Sequence, residues 1–358
     1  METFSKLRDR NMARLISEKI RALAPKGSVK FCHVCGTHEW TITHSGLRAL
    51  LPESVQLIAG PGCPVCIVPA RGIDEAVWLA QNGATVVTFG DMYRAPGTEM
   101  SLEDAKSRGG DVRVVYSVVD AVAMAEKEPE RDFAFFAIGF ETTAPMNALE
   151  IPRSPGNLSF LVSHRLIPPA MAFLAELEDL QIDGLIAPGH VSTIIGVRAY
   201  RGFHERYKMP IVIAGFEPLD VLMSVYMLLR QVKDGRARLE NEYVRAVTYE
   251  GNVRAQEAIS RVFDIADGAW RGIGEIPGSR LQLKGEYSRR DARERFDMDV
   301  GPSRDLYPGC SCHLVIIGKI TPRECPLFMR ACTPERPKGA CMVSIEGTCS
   351  IWASESFL

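Results

Sequence analysis

The chain has 358 residues, 46% of them hydrophobic and 24% charged, with a formal net charge of -2, a balance that argues against a nucleic-acid or anionic-membrane surface. Residues 1–27 lack the charged start, apolar core and small-residue cleavage site of a signal peptide, and no apolar run approaches the roughly 20 residues that span a bilayer. The expected location is the cytoplasm, where thiols stay reduced.

Phe4, Leu7, Leu15, Ile16, Ile20 and Leu23 recur at helical spacing among charges and stop at Pro25-Lys26-Gly27, which predicts an amphipathic helix in residues 1–27. We expect it to pack on the C-terminal domain. A strand is predicted from Val29 to Val34. Further apolar, β-branched runs follow at 55–60, 85–90, 133–139, 158–163, 184–189 and 211–215, each ending in glycine or a polar cluster. Continuous rather than alternating apolarity implies strands buried on both faces, hence parallel sheets covered by helices such as 71–82 and 168–180. An α/β architecture follows. The strands fall into two groups, with Pro152-Arg153-Ser154-Pro155-Gly156 as the expected linker, giving α/β units at 28–150 and 151–250 and a third region at 251–358. Within that region, Asn252 to Trp270 carries Val253, Ala258, Ile259, Val262, Phe263, Ile265 and Ala266 on a broad helical stripe. A solvated connection is expected from there to Arg295.

The loops that follow the strands hold the chemistry: Gly60-Pro61-Gly62-Cys63-Pro64-Val65-Cys66, Gly90-Asp91-Met92, Gly139-Phe140-Glu141-Thr142-Thr143, Pro188-Gly189-His190-Val191-Ser192 and Gly215-Phe216-Glu217-Pro218-Leu219-Asp220. Ligands of open α/β sheets bind outside the carboxyl ends of the strands, where these groups lie. Any one loop is explained by turning and capping alone, but five with thiol, carboxyl, hydroxyl and imidazole groups form a pattern. None is a phosphate-binding fingerprint, which argues against a nucleotide enzyme of a standard type.

Cys63-Pro64-Val65-Cys66 directly after a strand has the spacing of a redox pair or half a metal site. Cys32-His33-Val34-Cys35 is a second such pair, and together the two could supply a four-thiolate zinc site, although Cys32 reads as a buried strand residue. Cys35 stands at the strand end, before Gly36-Thr37-His38-Glu39 and His44, a thiolate setting suited to a transition metal such as iron. Six of the ten cysteines lie in the last fifty residues: Cys310, Cys312, Cys325, Cys332, Cys341 and Cys349, among prolines and glycines. In a chain without a secretory signal this density points to an iron–sulfur cluster. An all-cysteine [4Fe-4S] cluster uses four. Cys310 and Cys312, one residue apart, project to opposite faces of an extended segment and so would not share a cluster.

Taken in order, the Cys35-Gly36-Thr37-His38-Glu39 loop, the strand-end loops and the ending Met342-Val343-Ser344-Ile345-Glu346-Gly347-Thr348-Cys349 resemble the HypD family of hydrogenase maturation factors along nearly the whole chain. The resemblance implies two Rossmann-like, parallel-sheet α/β domains plus a mainly helical or irregular [4Fe-4S] domain. It implies a redox-active assembly scaffold more than a turnover enzyme. Such a scaffold works with the small chaperone HypC, and with HypE as cyanide donor, to hold iron(II) while it gains two cyanides and one carbon monoxide for [NiFe]-hydrogenase. Carried over by motif, Cys35 would bind the nascent iron and His38 assist it, Cys63 and Cys66 form the redox pair of the cleft, and Glu141, His190 and Glu217 belong to the site. The family pattern places Cys310, Cys325, Cys332 and Cys349 on the cluster and leaves Cys312 and Cys341 as a disulfide-forming pair. The alternative set replaces Cys310 with Cys341, and spacing alone does not exclude it. Cys32, His313 and the ending from Ile351 depart from the family pattern. The rival readings are a stand-alone ferredoxin-linked thiol-disulfide oxidoreductase and a zinc-stabilised binding module.

Overall fold

The computed structural model describes residues 7–355, which form two parallel sheets, one antiparallel hairpin and the helices around them. Strands β1 (Val29–His33) and β2 (Val55–Ala59) pair in parallel to begin the first sheet. The chain then leaves it to build a second sheet from β3 (Thr85–Phe89), β4 (Val112–Val115), β5 (Phe133–Gly139) and β6 (Leu158–His164), in the order β4-β3-β5-β6. It returns with β7 (Gly184–Pro188), β8 (Ile211–Ala214) and β9 (Leu239–Asn241), completing the first sheet as β2-β1-β7-β8-β9. All residues of β5, β6, β7 and β8 are buried, which accounts for their unbroken apolar runs.

This pairing corrects the expected division at 152–156. Leu158–His164 joins Phe133–Gly139 over seven residue pairs in one sheet, whereas β1 and β2 belong with the strands from 184 onward. The 152–156 segment is a tight connection between neighbouring strands, with Pro152 in a single 3-10 turn.

The first described helix, Arg10–Leu23, starts at Asp9, whose carboxylate accepts from the amides of Asn11 and Met12. Ile16 and Ile20, one turn apart, are buried with Val221, Val225 and Leu228 of helix Pro218–Asp234, and the Ser17 hydroxyl donates to the Leu50 carbonyl at 2.5 Å. The helix therefore packs on the first α/β layer, not on the C-terminal region; Phe4 lies outside the described residues.

The helical stripe read from Asn252 to Trp270 is also corrected. A helix does start behind Asn252, whose side chain caps the amide of Ala255, but it ends at Val262. Phe263–Trp270 continues as β10 and pairs antiparallel with β11 (Gly274–Leu283) where a solvated connection was expected. Gly268 and Trp270 are buried between exposed neighbours in strand alternation, and the bulge between Ala266 and Gly268 puts the buried Phe263 out of that phase, so no single strand period marks the segment. Among the described residues no helix is long and apolar enough to cross a membrane.

Candidate metal and redox centre

Cys35 stands two residues past the end of β1, as the cap of the next helix, and β2 runs into the loop carrying Cys63 and Cys66. Because the two strands are parallel neighbours, both loops emerge on one edge. The loops touch at backbone level: the Gly36 amide donates to the Gly62 carbonyl at 3.3 Å, and a Cβ on Gly62 would sit 2.2 Å from the Cys35 backbone. Only glycine at 62 permits that approach. Cys63 and Cys66 are joined as a disulfide.

The tail closes this edge. Thr37 donates its hydroxyl to Glu346 at 3.2 Å, and Asp91, at the end of β3 in the second sheet, accepts from the Ser344 hydroxyl at 2.9 Å. Residues 344–346 are thereby pinned between the carboxyl ends of both sheets. The result is a small cavity, about 10 Å³, lined by His33, Cys35, Cys63, Cys66, Cys341 and Glu346 among others. Burial and the Glu346 carboxyl push the Cys35 thiol up to about 11, so it is a thiol until an opposing charge, such as a metal ion, arrives.

Of the two histidines near Cys35, His33 lines this cavity. Its Nε2 meets the buried Glu39 carboxylate at 2.9 Å and its Nδ1 has no hydrogen-bond partner. Glu39 also accepts from Arg48 at 2.8 and 3.0 Å, from Thr43 at 2.7 Å and from the Trp352 indole at 2.7 Å. Burial pushes Glu39 up, but Arg48 and His33 outweigh it and hold the carboxyl far below the usual range. His38 is turned away, with Nε2–H donating to the Gly215 carbonyl at 2.9 Å and its ring stacked on Phe216. Burial, with His33 as the next cause, lowers it to about 3, so it stays neutral with an unpartnered Nδ1.

The other motif residues spread around this centre. Glu141 is buried at the end of β5. Its Oε1 accepts from the Ile167 amide at 3.0 Å, its Oε2 has no partner, and burial raises it to about 7. It acts electrostatically on Tyr200, as does Cys35, and the Tyr200 hydroxyl meets Ser192 at 2.9 Å. His190 is exposed and stacks on Phe216, with ring centroids 3.8 Å apart. Glu217 is held by Arg8 on the rim of a separate groove beside the first helix, away from the Cys35 cavity. Cys32 lies in β1 under Gly60 and does not line the cavity. With Cys63 and Cys66 bonded to each other, the two Cys-x-x-Cys pairs do not form a four-thiolate zinc site.

All six tail cysteines line a second small cavity with Phe328, Gly339 and Met342. A Cβ on Gly339 would lie 3.1 Å from the sulfurs of both Cys310 and Cys312, so the expectation that these two face apart is corrected. The chain is not extended there: Ser311 has φ -112 and ψ 23 and leads into the helix Cys312–Ile316. Interaction with the Cys312 side chain lowers the Cys310 thiol to about 6, and the same interaction together with burial raises that of Cys312. Backbone amides of Lys338 and Cys349 donate to the sulfurs of Cys332 and Cys341, both at 3.3 Å. Among the described residues no group of three or more His, Cys, Asp or Glu side chains converges as a site for a single metal ion. Six thiols disposed around a cavity rather than a point fit a polynuclear cluster better than a mononuclear ion. Cys341 is the cysteine that lines both cavities.

A sequence reading that follows motif glycines missed His33 and gave Glu346 and Asp91 no role. The signal for the latter two was present, since both stand inside motifs already noted. His33, the last residue of β1, stood inside the Cys32-His33-Val34-Cys35 motif but was given no role of its own.

The family model described as HypD, the hydrogenase formation hypA family, matches residues 11–356. The chain is similar to the hydrogenase maturation factor HypD of Rhizobium leguminosarum bv. viciae, with 44% identity over 372 residues, covering 100% of this chain and 96% of that protein. It is likewise similar to the factors of the same name from Cupriavidus necator, at 44% over 364 residues with 98% and 96% coverage, and from Rhodobacter capsulatus, at 40% over 350 residues with 95% and 92%. The chain belongs to the HypD family of hydrogenase maturation proteins.

Proposed function

We propose that this protein is a cytoplasmic assembly scaffold that holds iron(II) on Cys35 while the Fe(CN)2CO unit of [NiFe]-hydrogenase is built. A HypC-type chaperone contributes a second thiolate and a HypE-type protein the cyanide. The observation that carries the reading is the position of Cys341 on both cavities, between the Cys35 site with its Cys63–Cys66 disulfide and the ring of tail thiols. Soft thiolates keep iron(II) electron-rich enough to back-donate into cyanide and carbon monoxide. Iron binding displaces the Cys35 proton, and His33, which lines the same cavity and has an unpartnered Nδ1, is the acceptor we propose. A cavity of about 10 Å³ admits one water-sized body, so the decorated iron is accommodated only when the Glu346 segment withdraws.

Cys310, Cys325, Cys332 and Cys349 would hold a [4Fe-4S] cluster, with Cys341 in place of Cys310 as the alternative set. When bound, such a cluster supplies electrons one at a time. In the first of these sets Cys312 and Cys341 are left free to act as the exchange pair. As a dithiol they reduce the Cys63–Cys66 disulfide, passing on two electrons and two protons and becoming a disulfide themselves. The two reduced thiols stand beside the iron site.

Infrared spectroscopy with iron and acid-labile sulfide analysis, on protein purified without oxygen together with its HypC-type partner, tests the reading. Cyanide and carbon monoxide bands are expected, and Cys35→Ala should abolish them while leaving sulfide in place. Because the disulfide lies beside the tail cavity, sulfide without diatomic bands in any preparation would favour a ferredoxin-linked thiol-disulfide oxidoreductase. Bands that survive Cys35→Ala would remove Cys35 from the site.

A further inference from the structure

Arg271 follows the last residue of β10 and is only 2% exposed. Its backbone amide donates to the carbonyl of Ile67, the residue after Cys66, at 3.0 Å. Its guanidinium makes two hydrogen bonds, Nε to the Asp305 carbonyl at 2.8 Å and Nη2 to the Pro96 carbonyl at 2.7 Å. Both partners are neutral backbone groups. The Asp305 carboxylate is occupied elsewhere, by the amides of Ala70 at 2.7 Å and Gly272 at 2.8 Å. The third nitrogen, Nη1, is buried and has no hydrogen-bond partner.

A buried cation held by neutral carbonyls with a donor left over is costly unless an anion lies close by. The residue after Arg271 packs against the tail, since a Cβ on Gly272 would lie 2.9 Å from the Cβ of His313, the residue after Cys312; burial lowers the guanidinium, and the Cys312, Asp305 and Cys310 side chains act against that. Four thiolates around an iron–sulfur core leave a net negative charge that grows by one on reduction. Burial keeps the field of Arg271 unscreened by salt.

We propose that Arg271 is the counter-charge of the tail cluster, a positioning residue that acts on it through space and raises its reduction potential. The inference rests on the cluster reading above.

The test is a dithionite-limited potentiometric titration, followed by electron paramagnetic resonance, on wild type, Arg271→Gln and Arg271→Lys. Arg304→Gln serves as control, since Arg304 borders the neighbouring pocket at 55% side-chain exposure. Iron and sulfide are counted in each sample. Arg271→Gln should need a more negative potential to reach the same reduced fraction, by at least a tenfold change in the ratio, or 59 mV for one electron. Arg271→Lys should recover most of that shift, and the control should show none. An unshifted potential in Arg271→Gln with full iron and sulfide overturns the proposal. If Arg271→Gln does not load, Arg271→Lys decides: loading with a near-wild-type potential supports the counter-charge, and the same failure to load shows a packing role instead. Wild type without sulfide fails the cluster reading itself, a distinct outcome.

Discussion

Glu141 and Glu39 are both buried carboxyl groups, and their surroundings send them in opposite directions. Glu39 is met by a guanidinium, an imidazole, a hydroxyl and an indole N–H, whereas Glu141 is met by one amide and keeps Oε2 unpaired. Folding raises Glu141 from 4.5 to about 7, so between those values the native state holds a proton that the unfolded chain has released. Its contribution to stability is complete below 4.5 and is lost as pH rises through 7, a change of about 3 kcal/mol. His38 and His164, each lowered from 6.5 to about 3, act with the other sign, their contribution being lost as pH falls below 6.5. Comparing wild type with Glu141→Gln cancels the histidines. The stability advantage of Glu141→Gln in urea unfolding should grow from near zero at pH 4.5 to about 3 kcal/mol at pH 8, and a flat difference would show that the carboxyl is not buried alone.

Between elements, the decisive contacts are backbone against backbone. The turn after β2 reaches Cys35 because residue 62 has no side chain, and the Ser344–Glu346 segment reaches Gly36 for the same reason, with a Cβ there only 2.4 Å from the Glu346 carbonyl oxygen. Gly62→Ala should cost about 1–3 kcal/mol by overpacking, visible as a lower melting temperature. It should also push the disulfide loop off Cys35, so that iron with diatomic ligands is lost while tail sulfide is retained. Loss of both together would mean that the two cavities are not separable. The β10–β11 hairpin works at the same scale, because its end carries Arg271 to the carbonyl that follows Cys66.

Across the whole molecule, the chain begins the first sheet, leaves to make the second, and returns. Two consequences follow. The carboxyl ends of both sheets contribute to one centre, through Cys35 and Cys63 on one side and Asp91 on the other. Cutting the chain between 152 and 156 also separates paired strands β5 and β6 and strands β1 and β2 from their sheet neighbours. Fragments 1–152 and 156–358 expressed apart should therefore show no cooperative thermal transition by circular dichroism, whereas mixing them should restore one. A cooperative melt of either fragment alone would contradict the sheet pairing.

The sequence by itself determined the α/β class, the buried parallel strands, the chemical loops at their ends and the thiol-rich tail. Each of these is a local property, carried by the burial period of a strand, the glycine after it, or the spacing of cysteines. Which sheet a strand joins was decided only by tertiary structure, since β1 pairs with β7 across some 150 residues and no period marks a partner. The same holds for the histidine at the Cys35 cavity: His33 and His38 lie five residues apart, and the turn from strand to helix aims one at the cavity and the other at Gly215. The joint facing of Cys310 and Cys312 follows from a non-extended Ser311, and the sharing of Cys341 from how the tail folds over both sheets. Spacing along a chain fixes which side chains are available. Convergence depends on long-range contacts that leave no period in the sequence.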